Sequence, residues 1–176
     1  PAGEDNSFMQ RVGFRKGLLN QASPKVRLSN TEQIIELSFL DDFLTGPNLA
    51  HNEAKVSAPV VFVGYGIVSN ELNHDDYANV DVKGKVVAVL TGKPASFPSE
   101  VGAHVSSRTQ KANYAADRGA VGLITIQTPQ AEATRPYDRS KLYVKAPSMS
   151  WIDKNGVPGN GRPELKASTF FNIESA

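Results

Sequence analysis

The sequence predicts an α+β fold in which β-sheets carry a few flanking helices around one β-α-β unit. Three observations point there. Short apolar or β-branched runs recur along the 176 residues, the pattern of many short strands. One clean helix signal lies between two of these runs. No second such unit follows, so a doubly wound parallel sheet is not expected.

Residues Pro1 to Lys25 are polar and Gly-spotted, with one alternating run from Ser7 to Phe14 expected as an edge strand. Val26-Arg27-Leu28 and Ile34-Ile35-Glu36-Leu37 read as short strands. Asp41-Asp42-Phe43-Leu44, followed by Gly46-Pro47, reads as a turn holding a single helical turn. Ser57 to Val68 has the densest β-branched and aromatic content and predicts a strand buried on both faces. After a polar segment from Ser69 to Asp81, Val82-Lys83-Gly84-Lys85 turns into Val86-Val87-Ala88-Val89-Leu90, a buried strand bounded by Gly84 and Gly92. Residues 93–105 hold Pro94, Pro98 and Gly102 and are expected as a loop.

The helix then starts cleanly. Ser107 stands three residues before Gln110, a capping-box spacing, and Ala112, Ala115 and Ala116 form a small-residue face. Gly119 follows Arg118 at the position where helices end in a left-handed glycine. Residues 121–126 make the next buried strand. Strand 86–90, helix 107–118 and strand 121–126 are therefore a β-α-β unit with a right-handed crossover, its alanines bringing the helix close to the sheet. Past Thr128 the chain is polar until Ala146–Ile152. A Gly/Pro-rich bend at 155–161 leads to a last strand within Leu165–Asn172.

Composition removes several classes of function. Lys and Arg number 19 against 18 Asp and Glu, and a net charge of +1 lacks the basic excess that nucleic-acid binding needs. With no Cys, disulfides, thiolate zinc sites and thiol catalysis are all excluded. Every apolar run is far shorter than the ~20 residues of a membrane-spanning helix. Pro1-Ala2-Gly3-Glu4 does not read as a signal peptide; either an initiator Met was trimmed or the chain is cut from a longer protein.

Candidate chemistry is sparse. His74-Asp75-Asp76 has metal-ligand residue types, but neighbours on an extended chain point to opposite faces, so an Asx-type turn is the expectation. Gly102-Ala103-His104-Val105-Ser106 matches a zinc-aminopeptidase ligand run except that Ser106 stands where the carboxylate belongs. Gly64-Tyr65-Gly66 is no dinucleotide fingerprint, since Ser69 occupies its third glycine position, and Gly92-Lys93-Pro94 is no phosphate loop. No Gly-x-Ser-x-Gly elbow occurs, and Asp41-Asp42 reads as a solvated turn. The expected functional surface is instead three loops, 69–81, 93–106 and 128–146. They carry His74, Phe97, His104, Arg135, Tyr137 and Arg139, and exposed aromatic and Arg side chains are the types that anchor interfaces.

From Pro59 to Ile126 the ordered set Val61–Ile67, Asp75–Leu90, Lys111-Ala112, Ala115 and Gly119–Ile124 resembles the protease-associated (PA) domain. It is most similar to the PA insert of di-zinc aminopeptidases of the glutamate-carboxypeptidase-like metallopeptidase family, where a segment like Pro1–Gln10 links the first catalytic helix to the insert. The resemblance implies a swivelling β/β/α fold of packed β-sheets, a β-sandwich or open barrel, with flanking helices. It implies residues 1–20 as a linker or edge segment from the flanking peptidase domain and 21–176 as the PA domain. It also implies a non-catalytic lid or substrate- and partner-binding module of a periplasmic or extracellular enzyme. Partners would be a peptide substrate or the parent catalytic domain, with zinc only in that domain and no cofactor, catalytic residue or metal ligand here. Two other readings stay open: a stand-alone PA domain that binds or sorts peptides, and a small metal-dependent hydrolase built on His74, Asp75, Asp76 and His104.

Overall fold

The computed structural model describes residues 8–9, 11–159 and 161–175. Its strands are β1 (Phe14–Gly17), β2 (Val26–Ser29), β3 (Ile34–Leu37), β4 (Phe43–Thr45), β5 (Val60–Phe62), β6 (Val68–Ser69), β7 (His74–Asp75), β8 (Val86–Leu90), β9 (Gly122–Ile126), β10 (Ser148–Trp151) and β11 (Ala167–Phe171). Its helices are α1 (Ser99–Val105), α2 (Arg108–Asp117), α3 (Pro129–Thr134) and α4 (Tyr137–Lys141). The central five-stranded sheet has the order β4-β11-β9-β8-β5, and three two-stranded ribbons, β1-β10, β2-β3 and β6-β7, surround it. The class is α+β, as the sequence predicts.

The β-α-β unit stands at the centre. β8 and β9 pair in parallel with Val87 opposite Leu123 and Val89 opposite Thr125. Ser107 caps α2 by accepting from the Gln110 amide at 3.3 Å, and Gly119 closes it with φ near 80°. Val87, Val89 and Leu123 meet the alanine face of α2, where Ala115 is 0% exposed. Because Ala projects only a methyl, the helix lies close on the sheet and needs no large side chain to fill the gap. On the opposite face Phe43, Ala88, Ile124 and Phe171 form a second core, roofed by Val26, Leu28 and Leu37 of the β2-β3 ribbon.

Several local expectations are corrected. The N-terminal edge strand begins at Phe14, where the earlier run ends; Ser7 and Gln10 lie outside the described residues. Phe43 and Leu44 are a buried strand, not part of a turn, because β11 offers its antiparallel edge to them. The 57–68 run yields the short edge strand β5, with Val60 48% and Phe62 56% exposed, and at Val68 the start of β6. A strand at the sheet's edge has no neighbour to bury its outer residues, whatever its composition. Loop 93–106 contains α1, begun after Pro98, and loop 128–146 contains α3 and α4, with Pro129 at the start of α3 behind a Thr128 cap. The polar segment 69–81 contains β7, which pairs back on β6.

Candidate interaction site

Two groups of side chains gather where the parallel strands end. This is the rim at which open parallel sheets meet ligands, because backbone ends and loops are free there.

The first group surrounds β5 and β8. Lys111 projects from α2 into the interior, 3% exposed. Its ammonium donates to the Leu90 carbonyl at 2.6 Å and the Gly92 carbonyl at 2.7 Å, and it lies 5.6 Å from the centre of the Tyr65 ring. Desolvation lowers its pKa to about 8, against a smaller opposing pull from Asp76. Lys111 thus ties α2 to the C-terminal end of β8. The His74 ring nitrogen Nε2 lies 2.9 Å from Asp76 Oδ1, and Asp76 Oδ2 accepts from the Ile67 amide. Phe97 meets the His74 ring edge-on at 5.0 Å. Asp75 accepts from the Tyr77 amide at 2.8 Å, the Asx-type turn anticipated there. Its other oxygen faces Arg118, whose guanidinium covers the Tyr77 ring at 4.9 Å.

The three residues of the His-Asp-Asp run therefore do not converge on one point: Asp75 is held by a backbone amide and Arg118, Asp76 by Ile67 and His74. His104 sits on α1, exposed, with Nε2 3.5 Å from the Gln110 amide group, and Ser106 caps the end of that helix. A helical pair two residues apart, one member a hydroxyl, does not fit a zinc ion. Among the described residues no group of three His, Asp or Glu side chains is placed to hold a metal.

The second group lies at the end of β9 and β11. Arg108, the first residue of α2, holds its guanidinium 5.7 Å from the Phe170 ring centre. The residue is open to solvent along its length, but desolvation of the head group and then repulsion from Arg135 lower its pKa. Phe170 stacks on Tyr137 at 5.5 Å. Arg135 follows α3, its carbonyl accepting from the buried Gln127 amide, and Arg139 is on α4; both are exposed.

Of the residues the sequence singled out, His74 and Phe97 come together, and Arg135, Tyr137 and Arg139 share the second group. His104 joins neither. Tyr137 is not a surface residue. It is 2% exposed, because α4 turns its ring onto Phe170, and burial followed by the charges of Asp42, Asp41 and Asp138 raises its phenol pKa. Sequence reasoning missed Arg108 and Phe170. One signal was available: Arg108 has no Asp or Glu three or four residues away on its helix, so no local partner satisfies it.

Comparison with known families agrees with this architecture. The model of the PA domain matches residues 50–156, well over half of the chain, and the chain belongs to that family. The match spans β5 to β10 and so includes the β-α-β unit, Lys111, and both Arg135 and Arg139. No curated protein and no solved structure matches the chain. As a PA domain it is a protease-associated module, of a kind that is generally non-catalytic and mediates contact with proteins or peptides. Among the described residues no helix is long and apolar enough to cross a membrane.

Proposed function

We propose that this chain is the non-catalytic PA domain of a secreted zinc aminopeptidase, acting there as a lid or as a substrate- and partner-binding module. The observation that carries the reading is the PA match over 50–156, joined to an N-terminal segment, Pro1–Gln10, similar to the link that precedes the insert in di-zinc aminopeptidases. In this reading residues 1–20 lead in from the flanking peptidase domain, and 21–176 form the module. Zinc and the catalytic residues belong to the parent's peptidase domain, and the enzyme works in the periplasm or outside the cell. The chain's own contribution is recognition. The rim groups supply aromatic and cationic side chains at loop and helix ends, the types that carry binding energy at interfaces, on a scaffold fixed by α2 and the sheet.

The test is kinetic and uses the full-length parent. Phe97→Ala and Arg135→Gln should alter kcat/KM differently for short and for long peptides, while the isolated chain shows no turnover of aminoacyl reporters with or without added zinc. Equal effects on both lengths would contradict the lid role. Turnover by the isolated chain that is lost in His104→Ala would replace the whole reading with a metal-dependent hydrolase.

A further inference from the structure

A cleft of about 3120 Å³ runs across the central sheet from β5 to β4 and is lined by residues from both faces of β11, Ser168 and Phe170 on one and Thr169 and Phe171 on the other. Its charge is one-sided. Ten of the chain's 19 Lys and Arg line it, against two of its 18 Asp and Glu. A nearly neutral protein has thus gathered its cations around one opening.

Among the described residues only Arg15 and Arg162 of those ten form an ion pair or a side-chain hydrogen bond; the other eight form neither, and three of them, Arg108, Arg135 and Arg139, are the arginines of the second rim group. Arg162 faces Asp117 and Glu164, and away from the cleft Arg118, Lys85 and Lys141 each face a carboxylate within 4.0 Å. No ion pair or side-chain hydrogen bond forms on Arg108, Arg135 or Arg139 among the described residues, although Glu132 lies only three positions before Arg135. Glu132 is engaged elsewhere: it accepts from the Gln127 side chain and from the Tyr137 amide. A guanidinium resting on an aromatic face keeps its N–H edge free, and that edge matches a carboxylate in a two-point fork. Three and four positions after Arg139, Leu142 and Tyr143 line the same cleft 77% and 74% exposed. Apolar side chains left in water in the same cleft as unpaired cations suit a partner that brings both carboxylates and apolar groups. The volume is several times the roughly 300–1,000 Å³ of a small-molecule site, so the occupant is a stretch of chain. A near-neutral net charge argues against a polyphosphate strand, which needs a basic domain.

We propose that this cleft binds an acidic peptide segment, its carboxylates on Arg108, Arg135 and Arg139 and its apolar side chains against Phe170, Leu142 and Tyr143. The proposal rests on the reading of the chain as a peptide- and partner-binding module and names where and what it binds.

The experiment uses the whole 176-residue chain and a short fluorescein-labelled peptide rich in Glu and Tyr, followed by anisotropy. Binding should saturate, weaken as salt is raised, and fall at least roughly tenfold in the Arg108→Gln/Arg135→Gln/Arg139→Gln variant, a change of about 1.4 kcal/mol. A Lys145→Gln/Lys154→Gln variant, whose cations do not line the cleft, should bind as the parent chain does. The same peptide with Gln for Glu should bind poorly. Should the triple variant unfold, the single Arg135→Gln variant gives the same comparison with a smaller loss. No binding, binding unchanged by the arginine substitutions, or preference for a single-stranded oligonucleotide over the peptide would overturn the proposal. Binding that is intact yet insensitive to these arginines refutes this site and leaves the module reading standing. Kinetics of the full-length enzyme that do not depend on peptide length refute the lid and leave the site standing.

Discussion

The two flanks of α2 are built on opposite principles. Over β8 and β9 the helix presents alanine methyls to Val87, Val89 and Leu123, and its buried Lys111 bonds the Leu90 and Gly92 carbonyls at the strand end. One strand further, over β11, α2 reaches only with Arg108, and the cover comes from α4. There Phe170 is flanked by Tyr137 and by a guanidinium that has no acid to meet. The first flank fixes the fold; the second carries cost without structural return, since grouped arginines repel one another. Such an arrangement belongs where a partner supplies the missing charge. The comparison separates positions that should respond in stability from positions that should respond in binding.

The largest loss is expected at the closed flank's rim. Gly66 has φ near 64°, and a Cβ there would come within 2.4 Å of Val89 Cγ1, itself fully buried. Gly66→Ala combines left-handed strain with a core clash, and should cost about 3 kcal/mol or more in denaturant unfolding. A neutral result would show that the Val63–Ile67 turn does not pack on β8.

Lys111→Met should cost about 1–3 kcal/mol, because the Leu90 and Gly92 carbonyls lose their donor. It should also change the pH dependence. With a folded pKa near 8 against an ordinary 10.5, the unfolded chain binds more protons between those values, so this lysine makes stability rise as pH climbs from about 8 to 10.5. The full rise is about 3 kcal/mol. Above about 10 the buried phenols of Tyr77 and Tyr137, whose pKa values are raised chiefly by desolvation, act in the opposite sense, since they ionise more readily once unfolded. Thermal melts across this range should show a rise that Lys111→Met removes.

Ala115→Leu should destabilise by roughly 1–3 kcal/mol through overpacking of a position with no exposed surface. An unchanged melting temperature would mean that α2 stands further from the sheet than its alanines indicate. On the open flank, by contrast, Arg108→Gln and Arg139→Gln should leave stability within about 0.5 kcal/mol of the parent chain. A loss comparable to that of Ala115→Leu would make these arginines structural and erase the contrast.

The closed flank was legible from the sequence because its signals are local: a serine cap, alanines on one helical face, a terminal glycine, and apolar runs on either side. The open flank was only half legible. Arg135 and Arg139 stood out as cations in a polar stretch. Arg108 looked like an ordinary first-turn residue, and Phe170 like any residue of a last strand. What joins them is the parallel register of β11 on β9, a pairing between distant segments that no local pattern encodes. The same non-locality explains the corrections. Phe43 became a strand because β11 was there to pair with it. In the 57–68 run, Val60 and Phe62 face solvent because β5 is the last strand of the sheet. Tyr137 turned inward because Phe170 offered it a ring to stack on.

The contrast between the flanks is tested most directly by hydrogen exchange on the chain, alone and saturated with the acidic peptide. The amides of β8, β9 and the second half of α2 should be slow to exchange in both states. Those of α3, α4 and the α2 start around Arg108 should exchange faster in the free chain and gain protection when the peptide binds. Protection gained around His74 and Phe97, with α3 and α4 unchanged, would contradict the account and move the binding surface to the other end of the rim.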